Sequence, residues 1–122
     1  MYHSIIIEES LKNKKVFEKY NILKSRFGGG WHMHIVEVSN PEEFIKTIQN
    51  AMTTKKPYYF HIYNDKNYLT VVFRDKVFYL DSSDESTFVE AQEYGARKLN
   101  IPEEQLDFKP NNFNDEEVWY NK

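Results

Sequence analysis

Hydrophobic positions along this chain fall into stretches of different spacing, and each spacing predicts an element. His3 to Glu8 contains the run Ile5-Ile6-Ile7, which predicts a short buried strand. Beyond Glu9-Ser10, the residues Val16, Tyr20, Leu23 and Phe27 recur at spacings of four, three and four, the apolar stripe of a helix. Gly28-Gly29-Gly30 then ends that helix, with Gly28 in the left-handed C′ position. The rival reading is a strand over residues 21–27 that turns through the glycines into the next strand.

Trp31 to Val38 is a strand by composition and alternation. Asn40-Pro41-Glu42-Glu43 predicts a helix start: Asn40 caps, Pro41 suits the first helical position, and the glutamates face the electropositive first turn. Phe44, Ile45, Ile48, Ala51 and Met52 form the buried face of this helix. Three strands follow, Tyr58 to Tyr63, Tyr68 to Phe73 and Lys76 to Leu80. Asn64-Asp65-Lys66-Asn67 and Arg74-Asp75 join them as hairpin turns. Asp81-Ser82-Ser83-Asp84-Glu85 caps a further helix running towards Leu99, with Ser82 and Glu85 at capping-box spacing and Phe88, Ala91, Gly95 and Leu99 facing inward. Asn100-Ile101-Pro102-Glu103-Glu104 opens a short helical turn that ends near Phe108.

The order β-α-β-α-β-β-β-α plus a C-terminal tail defines the α+β class: two layers, a mainly antiparallel sheet of about five strands, and helices on one face. Residues 1–108 are expected to form a single domain. Residues 109–122 are a tail expected to dock on that domain or on a neighbouring subunit, because an exposed Trp119–Tyr120 pair is unfavourable.

Composition sharpens the picture of the core. Mean hydropathy is −0.74, yet 16% of residues are aromatic, so Tyr and Phe supply much of the apolar burial. The absence of cysteine removes disulfides, thiolate nucleophiles and Cys-based metal sites, and suits a reducing, cytoplasmic setting. No run approaches the roughly 20 apolar residues of a membrane span. Charge is uneven: residues 1–30 carry a net +3, residues 31–80 a net +1 and residues 81–122 a net −7. The two ends either meet within the fold or meet partners of opposite charge.

Candidate chemistry comes from strand alternation. If the more apolar positions pack under the helices, the other sheet face displays His32, His34, Tyr59, His61, Tyr63 and Tyr68. Such a face is expected to bind another protein or a second copy of the chain, since Tyr combines contact area with one hydrogen bond. A charged substitution at Tyr59 or Tyr63 is then expected to break assembly. Burial of the same face under the tail is the competing expectation. His32-x-His34 with His61 is a weaker candidate for a metal or acid–base site, which would make the protein a small enzyme. On an ideal helix Lys12, Lys15, Lys19 and Arg26 share one sector, a basic stripe that could touch nucleic acid. The glycine run lacks the strand-before, helix-after context of a phosphate loop, and the acidic residues Asp81, Asp84 and Glu85 fit helix capping better than a cation site. These readings favour a small binding protein of regulator, adaptor or inhibitor type that needs no cofactor and no membrane.

Overall fold

The structure, a computed structural model, describes residues 1–120; the last two residues of the expected tail lie outside the described residues. Six strands form one sheet: β1 (Tyr2–Ile7), β2 (Ile22–Gly28), β3 (Trp31–Val38), β4 (Tyr59–Tyr63), β5 (Tyr68–Phe73) and β6 (Lys76–Asp81). Their order across the sheet is β2-β3-β1-β4-β5-β6, and every pairing is antiparallel. The α+β class and the β4–β5–β6 meander follow the sequence pattern, whereas the strand count rises by one.

The extra strand replaces the expected N-terminal helix. Residues 8–20 form two 3₁₀ segments, Glu8–Ser10 and Lys14–Lys19, and the chain then extends into β2. Gly29 and Gly30 have φ values of 61° and 86°. Two consecutive positive φ angles are what a two-residue type I′ hairpin requires, so the glycines turn β2 into β3 instead of capping a helix. Gly28 is the last strand residue and not a C′ cap. The helical spacing of Val16, Tyr20, Leu23 and Phe27 was coincidental: the first two are half-buried, whereas Leu23 and Phe27 are exposed on β2.

Helix α1 (Pro41–Ala51) forms where the sequence places it. The Asn40 side chain accepts the Glu43 N–H, Pro41 occupies the first turn, and Phe44, Ile45 and Ile48 are buried. These residues pack with Met52 on one face of the sheet, against Ile6, Val36, Phe60, Ile62 and Val72.

The other face is covered as well, so the two-layer expectation gives way to three layers. A helical run from Glu85 passes from a 3₁₀ turn through α2 (Val89–Glu93) into a π-helical turn, Tyr94–Lys98. Asp84 caps it by accepting the Ser86 N–H and Oγ–H, so Asp84 and not Ser82 is the cap. Phe88, Ala91, Ile101, Leu106 and Phe108 from this C-terminal part pack on Ile5, Ile35, Tyr63, Val71 and Phe73. The physical reason lies in β5, which is buried from Leu69 through Phe73 without alternation. A strand apolar on both sides needs cover on both sides. Helix α3 (Phe113–Tyr120) closes the same layer and packs against β2.

Candidate functional site

The register of the sheet decides which of the expected site residues come together. Ile5 pairs with Ile35 and with His61, and Tyr63 pairs with Leu69. Tyr59, His61 and Tyr63 therefore lie under the C-terminal layer. Ile6 pairs with His34, and Ile62 with Thr70. His32, His34 and Tyr68 consequently lie on the α1 face. The six residues do not form one surface, and His61 cannot share a ligand with His32 and His34 through the sheet. Apolarity was a poor guide because both faces of the sheet are covered by packed layers.

Tyr63 is fully buried, and its hydroxyl donates to Glu116 Oε2 at 2.7 Å. His3 Nδ1 lies 2.6 Å from the same oxygen, and its ring stacks on Phe113 at 4.0 Å. This network ties α3 to the sheet, so a charge placed at Tyr63 would act on the fold and not on a surface. Burial, reinforced by the Glu116 carboxylate, pushes the Tyr63 hydroxyl pKa upward. Tyr68 is half-buried and meets Tyr2 edge-on at 4.9 Å.

The basic stripe also disperses. Lys12, Lys15 and Lys19 are exposed around the 3₁₀ segment, whereas Arg26 is on β2 facing α3. Its Nη1 donates to the Trp119 carbonyl at 2.6 Å, and its guanidinium lies 5.0 Å from the Trp119 ring. Lys24 bonds Glu117 at 2.9 Å on the same side. The basic N-terminal part and the acidic C-terminal part thus meet within the molecule.

Tyr59 and His61 line a cavity of about 180 Å³ between the sheet and the C-terminal layer. Its floor is Ile5, Met33 and His61, from three adjacent strands. Trp31, Tyr58 and Trp119 stand around it, and Ile101, Gln105, Asp107 and Lys109 come from the covering segment. The Trp31 and Tyr58 rings meet edge-on at 6.3 Å. The Tyr59 hydroxyl donates to the Gln105 carbonyl. Burial, with the nearby Asp107 carboxylate, raises its pKa.

His61 is buried, and its Nε2 lies 2.7 Å from the Pro110 carbonyl. A carbonyl can only accept, so Nε2 carries the proton and Nδ1 is left as an acceptor. Burial lowers the His61 pKa, opposed by the Pro110 hydrogen bond and by Asp107. The ring is therefore neutral at neutral pH. The cavity accordingly combines an aromatic and aliphatic lining with one neutral imidazole, one carboxylate and one ammonium.

Sequence reasoning reached Tyr59 and His61 through strand parity and Trp119 through the apolar cluster of the tail. It missed Asp107 and Lys109, which sit in an irregular segment with no periodicity to read. Comparison with known proteins assigns no family: no family model matches the chain, and no match was found among curated proteins or solved structures. Among the described residues no helix is long and apolar enough to cross a membrane.

Proposed function

We propose that this is a binding protein whose recognition site is the cavity between β1–β3–β4 and the C-terminal layer, and that the cavity receives one apolar or aromatic side chain of a protein partner. The volume carries the reading. At about 180 Å³ the space is well below that of drug-sized ligand sites. Those sites run from about 300 to 1,000 Å³, whereas a cavity of about 150 Å³ holds a benzene ring. One ring or one branched aliphatic side chain is the natural occupant. The surrounding Trp31, Tyr58 and Trp119 supply rigid contact area of the kind that anchors interfaces, and Asp107 and Lys109 supply the polar contacts that orient a partner chain.

The chain has two tryptophans, and both line this cavity. Their indole N–H resonances are therefore two private reporters. Titrating ¹⁵N-labelled protein with p-cresol, 3-methylindole and toluene, as side-chain analogues, is expected to move both resonances saturably with at least one probe. Met33→Phe, which fills the floor, is expected to abolish the shift while leaving the fold intact. If none of the probes moves either indole signal saturably, the cavity is not a recognition pocket.

A further inference from the structure

We propose a second site, on the opposite sheet face from the cavity: Glu8, Glu9 and His32 bind a divalent transition metal such as zinc, with His34 as a fourth donor. The proposal does not rest on the reading of the cavity.

The fold builds this cluster from residues far apart in sequence. β1 ends at Ile7 opposite Met33, and the 3₁₀ turn Glu8–Ser10 folds both carboxylates back over the first residues of β3. The Glu9 carboxylate accepts the His32 backbone N–H at 2.9 Å and lies 2.6 Å from His32 Nδ1. The neighbouring Glu8 Oε1 is 3.2 Å from His34 Nε2. One ligand atom each from Glu8, Glu9 and His32 falls within 4.8 Å of the others. Zinc bonds of about 2.0–2.2 Å place neighbouring donors roughly 3.4 Å apart at the tetrahedral angle, so small side-chain rotations close the set around an ion.

The rings are also held from behind. Ser25 Oγ lies 2.6 Å from His34 Nδ1, which points Nε2 towards Glu8. Phe17 meets His34 edge-on at 4.9 Å, and Phe27 leans on His32 at 4.5 Å. Backing of this kind orients metal-bound imidazoles and fixes their tautomer. Glu8 and His34 are mostly covered, whereas His32 is half exposed, which leaves an entry path on the solvent side. Two imidazoles with two carboxylates suit zinc and its neighbours, whereas calcium and magnesium prefer oxygen alone. Lys14 Nζ, 3.0 Å from Glu8 Oε2 on an exposed side chain, is the cation that the metal would displace.

The test is calorimetric titration of the untagged 122-residue chain with Zn²⁺, using Ca²⁺ and Mg²⁺ as controls, alongside thermal melts with and without Zn²⁺. One saturable zinc ion per chain, a rise in melting temperature with zinc, and no saturation by calcium or magnesium are expected. His32→Gln and Glu9→Gln should each weaken zinc binding at least tenfold while melting as the parent does without metal. Glu104→Gln, remote from the cluster, should bind as the parent does. Absence of stoichiometric zinc binding overturns the proposal, as does binding that survives both His32→Gln and Glu9→Gln.

Discussion

His61 shows how one buried side chain couples this fold to pH. Its pKa is held down by burial, so below the ordinary imidazole value the unfolded chain binds more protons at this residue than the folded protein does. Stability then rises with pH across that window. The contribution is intact above about pH 6.5 and is lost as pH falls through the folded value. Gln at this position keeps an N–H for the Pro110 carbonyl and cannot titrate. Urea unfolding between about pH 7.5 and pH 5 should therefore show a steeper loss of stability for the parent than for His61→Gln. Parallel pH slopes in the two proteins would show that the ring is not held neutral by the fold.

Among the elements, the run from Glu85 to Lys98 depends on a missing side chain. A Cβ at Gly95 would stand 2.8 Å from Leu106 Cδ2 and 3.3 Å from Phe73 Cε1. Leu106 and Phe73 are both buried, so neither can swing into solvent. Gly95→Ala would gain about 1 kcal/mol of helix propensity, whereas overpacking costs about 1–3 kcal/mol. A net loss of about 1 kcal/mol is expected in denaturant titration, with recovery in the double variant Gly95→Ala/Leu106→Val. A single variant as stable as the parent would mean that the layer yields at this point.

α1 was legible in the sequence because cap, first-turn proline and buried face all agreed within a dozen residues. Residues 10–27 misled because apolar spacing was the only signal, and Leu23 and Phe27 are exposed at 38% and 64%. On β2 the usual order is inverted: the half-buried side chains are those of Lys24 and Arg26, whose partners come from α3, about ninety residues later. The candidate site was half legible for a related reason. Parity within β4 grouped Tyr59 with His61 correctly, but joining strands into faces requires register, and register depends on long-range pairs that composition does not reveal.

At the scale of the whole molecule, the sheet is a partition between two cores with different closures. The α1 core is sealed by a neighbouring helix. The other core, with the cavity, is sealed by a segment whose last part, α3, combines the apolar contacts of Phe113 and Trp119 with polar ties: Glu116 to His3 and Tyr63, and Arg26 to Trp119. An Arg–aromatic contact is worth about 0.5–2 kcal/mol depending on its solvation. Arg26→Gln should therefore speed amide exchange in α3 several-fold while β4 and β5 amides keep the parent's protection. If exchange accelerates equally in β4 and β5, α3 does not open as a separate unit.

The central place of β1 has a consequence for how the chain assembles. Two glycines close β2 on β3, and short turns close β4, β5 and β6, so each side of the sheet can form from neighbours in sequence. β1 alone joins the sides, pairing with β3 across about thirty residues and with β4 across nearly sixty. The entropy of closing those loops must be met before the contacts it permits are gained. β1 is thus a seam that needs a neighbour from each side of the sheet before all its pairings form, and it is along this strand that the two locally built sides are joined.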